Sequence, residues 1–270
     1  MNGTMEMRLQ TRKELVKDYC KRRKRSDSLY GQDLRYHLVF HKTRTIYCFA
    51  PKVASTQWKT VLSALNEGNR TFHHASEIKF DHLNAYPLEE VEQMLKTYFT
   101  FLFVREPLER FVSAYKDKFL RENVVFHQAI GREIIKKFRP NATEEARATG
   151  RGVTFSEFTN YVVKTRHLDE HWRPFDKLCH PCAIQYDFIG HYEDLAEDAP
   201  YLLKTAGIDD RVSFPPFRPS RTSTELFVYF SQIPKLIILE LAKIYESDYE
   251  MFGYRFPGQL DKLPSFTAHK

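Results

Sequence analysis

The stretch Thr45-Ile46-Tyr47-Cys48-Phe49-Ala50-Pro51-Lys52-Val53-Ala54-Ser55-Thr56-Gln57-Trp58-Lys59 constrains the fold more than any other part of the chain. Residues 45–50 are mostly apolar and β-prone and Pro51 ends the run, so a buried strand is expected there. Trp58, Val61, Leu62 and Leu65 then recur at helical spacing. A turn between such a strand and helix lies at the helix N-terminus, where unpaired N–H groups and the positive end of the helix dipole favour an anion. Lys52 adds a mobile cation, and Ser55 and Thr56 add hydroxyl donors without bulk. The same residues also suit an ordinary strand-to-helix turn in which a Ser or Thr only caps the helix.

The turn contains no glycine, whereas a nucleotide-binding loop of the Gly-x-x-x-x-Gly-Lys-Ser/Thr type requires two. An ordinary ATPase or kinase loop is therefore not expected. Further along, Leu88 to Tyr98 reads as an amphipathic helix and Phe99 to Val104 as a second buried strand. Strand, helix, strand, helix in this order argues for a parallel sheet covered by helices. Immediately after the second strand, Leu108, Phe111, Val112 and Tyr115 form an apolar stripe that leaves Ser113 off the core-facing side. Arg105 at the strand end and Ser113 in the new helix could hold one phosphate through a guanidinium and a hydroxyl. The alternative is a surface Arg105 paired with Glu109.

Tyr186 to Gly190 reads as a third short strand, Leu195 to Ala206 as a helix stopped by Gly207, and Leu236 to Phe252 as a last helix. Residues 121–152 are charged and mixed, with a loop at Gly150-Arg151-Gly152, and Phe155 to Val163 resumes a helix. The net charge of +6 suggests an acidic partner without choosing among nucleic acid, lipid, glycan and phosphorylated cofactor. The block Lys21-Arg22-Arg23-Lys24-Arg25 reads as part of a solvated stem, or as a heparin-like or nuclear-import patch. No apolar run reaches the roughly 18 residues that a membrane-spanning helix needs.

Four cysteines, Cys20, Cys48, Cys179 and Cys182, allow three pairings. Cys179-His180-Pro181-Cys182 could also be a zinc half-site or a redox dithiol, but no second Cys/His pair at finger-like spacing accompanies it. A structural disulfide or two unpaired thiols are the expected states. Asn-x-Ser/Thr sequons occur at Asn2, Asn69 and Asn141, consistent with a lumenal protein.

Pro51 to Lys59 resembles the 5′-phosphosulfate loop of carbohydrate sulfotransferases that use 3′-phosphoadenosine 5′-phosphosulfate (PAPS). Arg105-Glu106-Pro107-Leu108-Glu109-Arg110-Phe111-Val112-Ser113 resembles the 3′-phosphate motif of the same enzymes. Glu170-His171-Trp172, Leu178 to Cys182, Tyr186 to Glu193, Ser220-Arg221-Thr222 and Tyr245…Asp248…Phe252-Gly253-Tyr254 extend the likeness. It points to the Golgi subgroup containing the chondroitin and dermatan 4-O-sulfotransferases, the GalNAc 4-O-sulfotransferases and the natural killer epitope glucuronyl 3-O-sulfotransferase.

The resemblance implies a single α/β domain with a P-loop-like parallel sheet over residues 34–258, a basic stem or flexible extension over 1–33, and a tail over 259–270. It implies sulfuryl transfer from PAPS to a glycan hydroxyl, leaving 3′-phosphoadenosine 5′-phosphate, with no metal and no nucleic-acid partner. GalNAc 4-O of chondroitin or dermatan type is the first acceptor, and terminal glucuronyl 3-O the next. Lys52 would stabilise the leaving phosphate while Pro51, Val53, Ala54, Ser55, Thr56 and Gln57 cradle it. Arg105 and Ser113 would read the 3′-phosphate, with Arg221 and Thr222 as weaker cofactor or acceptor contacts. His74 is the favoured base, His73 and His82 are rivals in the same connection, and His171 is the alternative elsewhere. Trp172 beside it could stack on a sugar or simply pack. Subgroup members are type II proteins of the Golgi lumen, and the chain as given lacks their membrane anchor. A non-catalytic glycan-binding protein of the same fold is the rival reading.

Overall fold

The sheet begins one element earlier than the apolar runs suggest. β1 (His37–Phe40) is buried along its whole length and pairs antiparallel with β2 (Thr45–Cys48), the strand expected before the Pro51 turn. β3 (Asp81–His82), β4 (Phe99–Val104) and β5 (Phe188–His191) complete the order β3-β1-β2-β4-β5. β2, β4 and β5 run parallel, with Cys48 opposite Leu102 and Phe101 opposite Phe188, while β1 runs antiparallel to both its neighbours, β2 and β3. The α/β class is as expected, and the sheet as a whole is mixed. Its two unforeseen strands are four and two residues long, too short for a sequence period to register. The computed structural model describes residues 2–25, 28–67, 79–217, 222–256 and 260.

The chain forms two compact units, Met1–Arg105 with Arg173–Pro219 and Glu250–Gly253, and Glu106–Trp172 with Ser220–Tyr249 and Tyr254–Lys270. The first holds the sheet, α1 (Asn2–Arg22), α2 (Ser55–Glu67), α3 (Leu88–Thr97) and the helix Leu195–Thr205. On α2, Trp58 and Leu62 are fully buried, as their spacing foretold.

The segment expected as a stem is helical and packed. Leu9, Val16 and Tyr19 of α1 are buried, and Arg12 donates to Asp198 at 2.6 Å, to Asp194 at 2.5 Å and to the Ile189 carbonyl at 3.1 Å. Arg22 and Arg23 pair with Glu250, and Arg25 pairs with Asp176 at 2.6 Å. The basic block therefore makes tertiary ion pairs, which charge composition alone cannot distinguish from a solvated run. Two disulfides, Cys20–Cys182 and Cys48–Cys179, join distant parts of this unit. Cys179 and Cys182 are thus neither thiols nor bonded to each other.

The second unit is helical. α4 (Pro107–Tyr115) packs Phe111 on Phe158 of the helix Phe155–Thr165, with ring centroids 4.6 Å apart. That helix starts with a reciprocal capping box, in which Thr154 and Glu157 satisfy each other's backbone N–H groups. Residues 116–120 and 127–131 wind as π-helical turns. The expected last helix divides at Tyr245 into Lys235–Ile244 and Glu246–Phe252.

Candidate functional site

Three parallel strands deliver the chain to one kind of position, the carboxyl end of a strand, where open α/β sheets bind their ligands. β2 leads into the Pro51 turn, β4 into Arg105, and β5 into Tyr192. In the turn Val53 is fully buried and anchors the backbone, while Lys52 and Ala54 on either side of it adopt φ of 75° and 62°. Left-handed conformations cost an ordinary residue about 1 kcal/mol or more each, and persist where the surroundings impose them. Alternation of this kind turns successive N–H groups toward one concavity that suits an anion. The first helical bond of α2 is from Trp58 N–H to the Ala54 carbonyl at 3.0 Å, so the N–H groups of Ser55, Thr56 and Gln57 precede the ladder. Trp58 holds the turn from below, its ring 5.0 Å from Phe103, 5.4 Å from Phe101 and 4.5 Å from Phe214.

Arg105 is 2% exposed, and its guanidinium donates to the Lys52 carbonyl at 3.2 Å. The same guanidinium lies 4.2 Å from the centre of the Tyr192 ring, whose edge-to-face neighbour is Phe217 at 5.1 Å. Sequence reasoning did not single out Tyr192. The signal that could have found it is an aromatic residue directly after the third parallel strand.

In the second unit Glu106 caps α4, accepting from the Glu109 N–H at 2.6 Å and from the Tyr249 hydroxyl at 3.1 Å. Pro107 occupies the first turn, where its missing N–H costs nothing. Leu108, Phe111 and Val112 are buried in the helical core, and buried Arg110 donates to the Glu170 carbonyl at 3.0 Å. These residues shape and fix α4, leaving Ser113 half-buried on it, off the core-facing stripe.

His171 Nδ1 lies 2.6 Å from Asp169 Oδ1, and the His171 backbone N–H donates to the same oxygen at 3.0 Å. Burial acts to raise the Asp169 carboxyl, but these hydrogen bonds from His171 outweigh it and hold the group below the usual carboxylate range. Trp172 cannot stack on a sugar: it is fully buried, lies 5.1 Å from Phe158, and donates its indole N–H to the His167 carbonyl at 2.9 Å. His73, His74 and Arg221 lie outside the described residues, and Thr222 begins the helix Thr222–Phe230. Of the other rival, His82, Nδ1 is 2.6 Å from the Arg35 carbonyl on the antiparallel side of the sheet. Among the described residues, no group of His, Cys, Asp and Glu is suited to hold a metal.

A family model described as the sulfotransferase family matches residues 35–255. The chain belongs to that family. Carbohydrate sulfotransferase 11 of Rattus norvegicus is 38% identical over 93% of this chain and 77% of its own length. Carbohydrate sulfotransferase 14 of Danio rerio is 39% identical over 83% of this chain and 63% of its own. Carbohydrate sulfotransferase 10 of Homo sapiens is 39% identical over 81% of this chain and 67% of its own. No solved structure matches. The activity supported is therefore transfer of a sulfuryl group to a carbohydrate, and sulfotransferase membership implies PAPS as donor. The positive-φ backbone of the glycine-free turn and the buried Arg105 guanidinium offer donors of the kind an anionic ligand requires.

Proposed function

We propose that this protein is a Golgi-lumen carbohydrate sulfotransferase acting on a glycan hydroxyl, with GalNAc 4-O of chondroitin or dermatan type as the first acceptor and terminal glucuronyl 3-O as the second. The observation that carries the reading is the Pro51 turn, with positive φ at Lys52 and Ala54, joined to Arg105 through the Lys52 carbonyl. When bound, PAPS supplies a sulfuryl group on a phosphate that leaves readily. Lys52 would meet the negative charge that accumulates at the departing phosphate oxygen, and N–H groups from Val53 to Gln57 with the Ser55 and Thr56 hydroxyls would hold that phosphate. Arg105 and Ser113 would read the 3′-phosphate, with Arg221 and Thr222 as secondary contacts. Catalysis of this kind is mostly positioning and charge stabilisation, as in phosphoryl transfer.

His74 is the proposed base that accepts the acceptor hydroxyl proton. His171 is the alternative, because Asp169 at 2.6 Å from Nδ1 orients the ring. The two disulfides support a lumenal setting, since such bonds persist in oxidising compartments. No described helix is long and apolar enough to cross a membrane.

The deciding experiment incubates the protein with radiolabelled PAPS and a panel of desulfated chondroitin, dermatan and glucuronyl-terminated glycans, followed by disaccharide analysis. Label at GalNAc O4 is expected. Tight glycan binding with no transfer to any acceptor would instead favour a non-catalytic member of the fold. His74→Ala and His171→Ala are compared in the same assay, and the base is the residue whose loss lowers kcat while PAPS affinity is kept.

A further inference from the structure

We infer that Asn141 carries an N-linked glycan, a modification site on the second unit that rests on the lumenal reading above. Three sequons stand in the chain, but their settings differ. Asn2 is the first residue of α1, and Asn69 lies outside the described residues. Asn141 is exposed in the turn between the helices Arg132–Phe138 and Glu144–Thr149. That turn is closed by the Ala142 N–H donating to the Arg139 carbonyl at 3.1 Å, with Pro140 and Asn141 at its two central positions.

The turn is braced by the arginines that flank it. Arg139 forks onto both Glu157 carboxylate oxygens at 2.6 Å, and Arg147 donates to the Pro140 carbonyl at 2.7 Å and the Ala142 carbonyl at 3.2 Å. These bonds use the backbone and the flanking arginines, so the Asn141 amide is left at the exposed tip. Residues 140, 141, 143, 144 and 145 are all exposed, which gives a bulky substituent room to leave the surface without displacing packed groups. Thr143, the third residue of the sequon, accepts the Ala146 N–H at 3.1 Å and caps the next helix, so the folded turn keeps the sequon's hydroxyl in a fixed place.

The compartment that forms the Cys20–Cys182 and Cys48–Cys179 bonds is also the one in which lipid-linked oligosaccharide is available. In the transfer the Asn141 amide nitrogen bonds to the anomeric carbon of an oligosaccharide carried on a lipid pyrophosphate. The bond from that carbon to the pyrophosphate oxygen breaks, and the amide proton leaves with the released lipid pyrophosphate. No oxidant or reductant is involved.

The test isolates the protein from eukaryotic cells that express its complete coding sequence, counts free thiols, and maps peptides before and after peptide:N-glycosidase F. The expected result is no free thiol, recovery of the 141-containing peptide with Asn converted to Asp by the glycosidase, and loss of one mobility step in Asn141→Gln. Thr143→Ser preserves both the sequon and the helix cap and should retain the glycan. Closed disulfides with an unmodified Asn141 peptide would overturn the site while sparing the lumenal reading. Four free thiols with no glycan would overturn that reading and the site together.

Discussion

The buried guanidinium of Arg105 donates to the backbone carbonyl of Lys52, 53 residues earlier, at 3.2 Å. A residue at the end of β4 thereby fixes the backbone of the turn at the end of β2. Arg105→Lys keeps the charge but loses the planar fork and its stacking on Tyr192. A loss of about 2 kcal/mol, roughly thirtyfold in affinity for 3′-phosphoadenosine 5′-phosphate, is expected with a melting temperature close to that of the parent. Calorimetric titration of the folded variant checks it, and unchanged affinity would remove Arg105 from the ligand.

Ala54 at φ of 62° is a second point of leverage. Ala54→Gly should leave stability within about 1 kcal/mol, because relief of the left-handed cost offsets the added freedom of the unfolded chain. Ala54→Val should destabilise by more than about 1 kcal/mol and weaken nucleotide binding, since a β-branched residue resists that conformation. A valine variant that melts and binds like the parent would contradict the strained-turn account.

Acid should loosen the sheet unit, beginning near the ordinary histidine range. Burial, reinforced by His180, lowers the His37 imidazole to about 3, and burial with the Arg12 charge lowers His191 to about 3. Both folded values lie below the unfolded value near 6.5, so the unfolded chain binds protons first and stability declines as pH falls from about 6.5 toward 3. Thermal melts across that range should show the decline, and His37→Gln should flatten part of it. A melting temperature that is constant down to about pH 4 would refute the assignment of two neutral buried histidines.

The two disulfides are expected to have separable effects. Replacing Cys48 and Cys179 by alanine releases β2 at the residue before the segment that enters the Pro51 turn, and should lower stability by about 2–5 kcal/mol and nucleotide affinity with it. Replacing Cys20 and Cys182 should lower stability alone, because that bond fastens the end of α1. Melting curves and nucleotide titrations on both double variants test this, and equal affinities would show that the turn does not depend on the Cys48 bond.

What could be read from the sequence followed the strength of the local pattern. Phe99 to Val104 and Leu88 to Thr97 declare themselves through uninterrupted burial and a clean helical stripe. The phosphate turn was legible through its chemistry, Lys52 with Ser55 and Thr56, but its shape was not. Positive φ is usually announced by glycine, and here Lys52 and Ala54 take it because buried Val53 and Trp58 hold the chain around them. α1 was hidden because its charged residues are satisfied by Asp194, Asp198 and Glu250, partners far along the chain. Tyr192 was hidden for the same reason, since its contact with Arg105 joins the ends of two neighbouring strands that lie far apart in the chain.

The buried pair of Arg12 and Asp198 has a practical consequence for anyone dividing this protein. The family match starts at residue 35, well after α1. A polypeptide cut there would retain Asp198, fully buried, and lose the cation beside it. Stranding one member of such a pair costs about 3–5 kcal/mol, a large part of what a folded domain has to spare. The shortened chain should aggregate or fail to accumulate where the full one does not, and Asp198→Asn in the shortened chain should partly restore it. The border drawn by sequence similarity and the border drawn by folding stability are, in this protein, different lines.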